Sequence, residues 1–364
     1  MSHPSAGMTR TPVCVVRPMT DSTLENREWH LTRRPEGGLA DDDVALVSTS
    51  LPPPEAEQVR VRNAWLSVDP YMRGRMRDVK SYVPPFGLNE PMTGGAIGVV
   101  ESVGDGTSLE PGQTVLHQKG WRTAAVLAED NVRALGDGGS DQPPQRYLGV
   151  LGMPGLTAYV GLLEIGGLNP GETVFVSAAA GAVGSAAVQI ARASGASTVI
   201  GSAGGPEKSR GVRDDLGADV ALDYRAEPIA NQLMAAADDG IDVYFDNVGG
   251  DHLEAALTAM RTYGRVVMCG AISQYNATTP EPGPRNLFMA VSKRLRLQGF
   301  IINDHDALHP AFERDMTRWL DDGAVTTRET VRTGIESAPD AFRELFTGGN
   351  IGKMLIQLDH PTRT

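Results

Sequence analysis

The sequence predicts an α/β protein, with a doubly wound parallel sheet in the middle of the chain and a β-rich domain beside it. Three observations carry this expectation. After Leu151 short apolar strands alternate with helical runs, as they do when crossover helices cover a parallel sheet on both faces. Before Val150 the chain reads as short strands broken by Gly and Pro. Between a strand and a helix lies a glycine-containing turn, VFVSAAAGAVGSAAVQIA at 174–191.

At 364 residues the chain exceeds one ordinary core, so two domains are expected. Residues 1–12 are small and polar with no apolar run behind them, and read as a disordered extension and not a secretory signal. Val59–Trp65 (VRVRNAW) alternates with period two, as a half-buried strand does. Gly95–Val103 and Gln113–Leu116 are further short apolar runs, while PPP at 52–54, PP at 84–85 and DGGSDQPP at 137–144 mark turns or loops. In the central part, strands are expected at Val174–Ser177, Thr198–Gly201, Val220–Leu222, Ile241–Phe245 and Arg265–Cys269. Helices are expected at Ser185–Ser194, Pro206–Leu216, Pro228–Ala237 and a run ending at Met260, the last N-capped by Asp251. A helix at Phe312–Leu320 and a strand at Met354–Leu358 complete the chain.

Composition narrows the function. The balance of 33 basic and 45 acidic residues gives a net charge of −12, which disfavours nucleic acid and anionic membranes as general partners. No apolar stretch approaches the roughly 20 residues that span a bilayer. Cys14 and Cys269 lie far apart and imply no disulfide framework, so the cytoplasm is the default compartment.

In the turn, Ala178, Gly181 and Gly184 occupy the three small positions of a dinucleotide-binding loop. Missing side chains let backbone N–H groups approach a pyrophosphate, and the helix N-terminus favours negative charge. Proteins that bind NAD usually end the second strand with an acid for the ribose 2′-hydroxyl. Here that strand runs TVIGSAGGPEK, without an acid at its end. Ser202, the backbone at Gly204 and Gly205, and Lys208 are available to a 2′-phosphate instead, which favours NADP(H). YFDNVGG (244–250) ends the fourth strand of this domain and CGAISQY (269–275) the fifth. Ligands collect at the carboxyl ends of such strands, so Asn247, Gly270 and Ser273 should face the crevice. His3, His30, His117, His252, His305, His309 and His360 are scattered, without CxxC or HExxH, and no metal site is expected. His305 and His309 share a helical spacing and read as surface residues. The hard chemistry is therefore assigned to the cofactor.

LSVDPYMRGRM (66–76), SYVPPF (81–86), LGMPGLTAYVGL (151–162), AAAGAVGS (178–185), YFDNVGG, CGAIS (269–273), LQGFII (297–302) and NIGKML (350–355) resemble the zinc-independent medium-chain dehydrogenase/reductases, in the alkenal/prostaglandin/curcumin reductase branch. The resemblance implies a GroES-like catalytic domain from residues 13–150 and 328–364 around a Rossmann domain at 151–327. It implies a homodimer that uses NADPH to reduce the carbon–carbon double bond of α,β-unsaturated ketones or aldehydes. Gly181, Ala182, Val183 and Gly184 would meet the pyrophosphate, with Lys208 and Tyr224 at the adenosine phosphate. Asn247, Cys269, Gly270, Ala271, Ile272, Ser273, Tyr275, Phe300, Ile301, Ile302 and Asn350 would complete the cofactor cleft, and Tyr71 and Tyr82 would contribute to the substrate pocket.

Such a reduction needs a donor aimed at the developing enolate oxygen. In many relatives that donor is a Tyr beside the nicotinamide ribose, and aligning through LQGFII puts Ser292 there. Either Ser292 acts through a bridging water, or it is a bystander and the ribose hydroxyl, helped by Tyr71 or Tyr82, carries the charge. The nearest rival is a quinone reductase of the same superfamily, which shares fold and cofactor; a rival of a different class is a redox-sensing or scaffold protein that binds NADPH without turnover.

Overall fold

The computed structural model describes residues 23–136 and 142–358. The extension expected at 1–12, Cys14, and residues 137–141 of the 137–144 loop lie outside the described residues. Before Val150 the chain forms β1 (Leu24–Leu31), β2 (Val44–Leu51), β3 (Gln58–Ser67), the one-turn helix α1 (Met72–Arg75), β4 (Glu90–Pro91), β5 (Ala96–Val103), β6 (Thr114–His117), β7 (Ala124–Ala128) and β8 (Val132–Ala134). Helix α2 (Met153–Tyr159) leads to β9 (Thr173–Val176), α3 (Ala182–Ala193), β10 (Thr198–Ala203), α4 (Pro206–Asp214), β11 (Val220–Asp223), α5 (Ile229–Ala236) and β12 (Ile241–Asp246). Then come α6 (Gly250–Ala259), β13 (Met260–Met268), α7 (Met289–Ser292), β14 (Arg296–Gly299), α8 (His309–Asp321), β15 (Glu329–Thr333), α9 (Ala338–Thr347) and β16 (Lys353–Gln357).

The central strands make a six-stranded sheet in the order β11-β10-β9-β12-β13-β14, every pairing parallel. Chain order reverses between β9 and β12, so a crevice opens beyond their carboxyl ends. Strand β9 (TVFV) is buried on both faces. Val174 and Val176 pack toward α2 and α3, while Phe175 stacks on Tyr244 with ring centroids 4.9 Å apart. Burying one such ring stabilises the fold by about 1.5–3 kcal/mol.

The second sheet joins both ends of the chain. Its order is β15-β16-β3-β5-β6-β8, with β7 also paired to β3. Val59 and Val61 of β3 are buried as the alternation predicts, but Arg60 is buried too, against Glu101. A charged residue at the outward position of VRVRNAW is thus covered, and β3 is more than half-buried.

Two local expectations change. Asp251 is not the cap of α6. It is the second residue of that helix, and the cap is Gly249, at φ +71, where a side chain would be strained. His305 and His309 do not share a helical face, because the backbone at His305 is non-helical (φ −122). Both are half-buried, edge-on to Phe300 and Phe312 respectively.

His117, 2% exposed at the end of β6, is held neutral by its bonds. Its Nδ1 accepts the Lys119 N–H at 3.0 Å, so its proton sits on Nε2 and is donated to Asn63 Oδ1 at 2.9 Å. Burial first, then Arg122 and Lys119, lower its pKa to about 3. The unfolded chain binds this proton near pH 6.5 and the folded chain does not. Stability should therefore fall as pH drops from about 6.5 towards 3. His117→Gln should flatten that part of the denaturation-versus-pH curve, and an unchanged slope in urea titrations would refute this.

Candidate active site

The crevice at the strand-order reversal opens into a cleft of about 1580 Å³ between the two sheets. Its wall starts with the turn after β9. Ala178 adopts a left-handed conformation (φ +49), its carbonyl accepts the Gly181 N–H at 2.9 Å, and α3 begins at Ala182. A Cβ on Gly184 would collide with the Ala178 carbonyl, so the helix packs this closely only with glycine there. No side chain caps α3, which leaves its first N–H groups for a ligand. Gly181, Ala182, Val183 and Gly184 all line the cleft.

The opposite wall is tied to this turn from the other domain. Gly352 N–H donates to Ala180 O at 2.7 Å, and Gly181 and Gly352 form a β-bridge. Asn350, two residues earlier, lines the cleft and donates to Gly352 O at 2.9 Å.

At one end of the cleft two cations converge. Lys208 of α4 and Arg225, just past β11, both point toward Gly348, where a Cβ would lie 3.5 Å from Lys208 Nζ and 3.0 Å from Arg225 Nη2. Neither forms an ion pair among the described residues; the Arg225 guanidinium donates to Thr347 O at 2.9 Å. Burial, then Arg225, lower the Lys208 pKa. The nearby acid Asp223 is engaged, accepting the N–H groups of Gly205 and Arg225 at 2.8 and 3.0 Å. Exposed Glu207 beside Lys208 raises its pKa in part, and neither cation is held in an ion pair among the described residues, an arrangement that suits a phosphate. Tyr224 lines the same end. Sequence reasoning passed over Arg225; its place beside Tyr224 was the available signal.

Ser202 does not serve here. It is fully buried inside β10, which runs one residue past it to Ala203. Strand alternation turns its hydroxyl into the protein, away from the cleft.

Beyond β12 and β13, Asn247, Cys269, Gly270, Ile272, Ser273, Tyr275, Phe300, Ile301 and Ile302 line the cleft as expected. Asn247 Nδ2 donates to Ser177 O at 2.8 Å, stitching β12 to β9 at the reversal. Ala271 differs: it does not line the cleft, and its methyl group packs toward Gly249. Cys269 is a free thiol whose pKa burial and then Asp246 push up to about 12. Both causes favour the protonated thiol.

The other end is apolar and carries three phenols, Tyr71, Tyr82 and Tyr275, with Arg75, Met153 and Thr157. Arg75 donates to Pro84 O at 3.0 Å and Thr93 Oγ1 at 2.9 Å, and lies 4.0 Å over the Phe86 ring. It also bonds the Tyr71 phenol. Burial and Asp69 raise the Tyr71 pKa, partly offset by Arg75. Tyr82 is 64% exposed, at the mouth. Tyr275 is half-buried, and its oxygen accepts the Ala271 N–H; burial raises its pKa and that bond lowers it.

Ser292 is not part of this cleft. It ends the short helix α7, is exposed, and donates to Met289 O at 3.3 Å. Of the two readings of Ser292, this placement favours the bystander. Tyr275, five residues past Gly270 in the loop after the fifth strand, is the phenol that this side of the cleft supplies. Among the described residues no group of three or more His, Cys, Asp or Glu is placed to hold a metal ion.

Comparison with known proteins agrees with this architecture. Residues 27–135 match the family described as the N-terminal domain of oxidoreductase, and residues 182–321 the family described as zinc-binding dehydrogenase. The chain is 42% identical to NADPH-dependent curcumin reductase of Escherichia coli, over 93% of this chain and 99% of that protein. It is 40% identical to the NADP(+)-dependent 2-alkenal reductase of Nicotiana tabacum, over 88% and 93%. The crystal structure of CurA in complex with NADPH from Vibrio vulnificus superposes with a TM-score of 0.86 at 42% identity, covering 92% of this chain and all (100%) of that one.

Proposed function

This chain belongs to the medium-chain dehydrogenase/reductases, in the branch of the NADP-dependent alkenal, curcumin and prostaglandin reductases, and we propose that it reduces the carbon–carbon double bond of α,β-unsaturated ketones and aldehydes with NADPH. One observation carries the reading: a phosphate-accepting turn, two cations and a buried-side phenol lie in one continuous cleft with an apolar end. NADPH, when bound, supplies the hydride that adds to the β-carbon of the substrate.

The chain's own residues do the rest. The N–H groups at Gly181–Gly184 hold the pyrophosphate, and Lys208 and Arg225 hold the 2′-phosphate. Asn247, Ser273 and Asn350 bound the cofactor between these ends. Hydride addition places negative charge on the carbonyl oxygen of the substrate, the α-carbon then takes a proton from solvent to give the saturated carbonyl, and a preorganised donor at the oxygen contributes most to rate. We assign that donor to Tyr275. Its oxygen already accepts the Ala271 N–H, so its own hydrogen is left to donate. Tyr71 and Tyr82 form the facing wall. No metal is needed in this scheme.

We further propose a homodimer, in the cytoplasm, without nucleic acid as a partner. Among the described residues strand β14 pairs only with β13 and leaves one edge of the sheet open. Beside it Leu287, Phe288 and Val291 are 52, 75 and 67% exposed, a site suited to burial against a second copy. Among the described residues no helix is long and apolar enough to cross a membrane. Sedimentation at micromolar concentration should give twice the chain mass, and a monomer would refute this arrangement.

The cofactor assignment predicts that Lys208→Ala or Arg225→Ala raises the Michaelis constant for NADPH by roughly 10- to 100-fold. This is the loss of one charge-assisted bond of about 1.5–3 kcal/mol. Activity with NADH should barely change, and equal losses with both dinucleotides would count against the phosphate role.

For the reaction, an enone turned over with NADPH in the presence of EDTA should give the saturated ketone, where a carbonyl reductase gives the allylic alcohol. Tyr275→Phe should lower turnover by about 10²–10³, the usual cost of losing an oxyanion donor. Ser292→Ala should cost less than about tenfold. Normal turnover in Tyr275→Phe would remove Tyr275 from the mechanism.

A further inference from the structure

The two walls that carry the phenols belong to different sheets, and one short stretch of chain holds them together. Tyr71 precedes α1, whose single turn also carries Arg73 and Arg75, and Arg77 follows it. Tyr71 and Arg75 serve the cleft itself. Arg73 and Arg77 reach across to the segment that bears Tyr275. The Arg77 Nη2 group donates to the Tyr275 carbonyl at 2.7 Å and to the Ala277 carbonyl at 3.3 Å. The Arg73 Nε group donates to Asn276 Oδ1 at 3.1 Å. Every other residue of the stretch, counted from Tyr71, thus faces either the cleft or the opposite wall.

Arg73 is the more costly of the two. It is 1% exposed, and among the described residues it makes no ion pair. Its bonds go to the Pro35 carbonyl at 3.1 Å, the Gly37 carbonyl at 2.9 and 2.6 Å, and Asn276. Its Nη1 has no partner. A buried cation satisfied only by neutral oxygens does not stabilise a fold as well as a well-packed apolar side chain. What it supplies is direction: a planar fork with fixed angles, which a lysine cannot reproduce.

Within its own loop the segment is held by the Tyr275 N–H to Ile272 O at 3.3 Å and the Ala277 N–H to Gln274 O at 3.1 Å, and residues 279–284 have no regular structure. The arginines are the contacts that tie this segment to the stretch bearing Tyr71.

We propose that Arg77 and Arg73 are positioning residues that clamp the 275–277 segment and so hold the Tyr275 phenol at the substrate. The catalytic part of this inference rests on Tyr275 being the oxyanion donor; the clamp itself does not. Two measurements separate them. In hydrogen–deuterium exchange, Arg77→Met should raise uptake in peptides covering 272–280 several-fold in the full-length protein, with the melting temperature within about 2 °C of normal because Arg77 is exposed. Asn276→Ala should do the same by removing the oxygen that Arg73 reaches. In turnover, Arg77→Met should lower kcat by about 10- to 100-fold, as a misplacement of about 1 Å does, with less than about threefold change in the Michaelis constant for NADPH.

The kcat loss should disappear when Arg77→Met is made on top of Tyr275→Phe, since the clamp then has no phenol to position. Unchanged exchange over 272–280 in both variants overturns the clamp. Raised exchange with normal kcat, or a loss that multiplies with that of Tyr275→Phe, overturns the positioning role and leaves Tyr275 as donor. A near-normal Tyr275→Phe enzyme overturns the donor reading, and raised exchange would still support the clamp.

Discussion

Much of the site depends on one buried carboxylate. Asp246 ends β12 and is 1% exposed. Its Oδ1 accepts the Tyr244 hydroxyl at 2.6 Å, Ser177 Oγ at 3.3 Å, and the Val248 and Gly249 N–H groups, each at 2.9 Å. Its carbonyl accepts the N–H groups of Cys269 and Gly270 at 2.9 and 3.0 Å. One residue thereby fixes the ends of β9, β12 and β13, where the chain order of the sheet reverses. Burial pushes its pKa up and these donors push it back; without them a carboxylate could not sit here charged. Asn247 and the Cys269–Tyr275 loop take their positions from it.

The second sheet is joined to this frame by the Gly352 N–H, which donates to Ala180 O, in addition to the α1 contacts, and polar ties within the sheet fix its own two ends together. Lys353, 3% exposed on β16, pairs with Asp69 at 2.6 Å and donates to the Val68 carbonyl at 3.0 Å. Ser67 donates to the same carboxylate. The first and last segments of the β-rich unit are thus bonded immediately before Tyr71. A buried pair of this kind is a poor source of stability unless its geometry is good, and here it locates the turn that carries a phenol.

Electrostatics divides the cleft into two ends. In a chain of net charge −12, Lys208 and Arg225 form no ion pair among the described residues at one end, while Asp223 there is spent on backbone N–H groups. The other end is apolar, with phenols whose oxygens accept hydrogen bonds from Arg75 and Ala271 and keep their own hydrogens. One end suits a phosphorylated ligand, and the other is suited to charge that appears only during a reaction.

The sequence alone determined the parts that depend on local pattern. Runs such as TVFV and the small residues at 178, 181 and 184 act through neighbours within a few positions, so strand, turn and helix were legible, as were Asn247 and Gly270 at the strand ends. The absence of an acid after the second strand was also legible, because it concerns one position. Tertiary structure decided what depends on residues far apart in the chain. Ser202 looked available until one more residue of strand buried it, and Asp251 looked like a cap until Gly249 took the positive φ. Ser292 sat at the aligned position yet lies outside the cleft, because α7 ends on the surface, whereas Tyr275 enters it. Arg225 meets Lys208 only through Thr347 and Gly348, and Arg77 reaches Tyr275 across 198 positions of sequence. Periodicity is a property of neighbours in the chain, and a donor's aim is a property of neighbours in space.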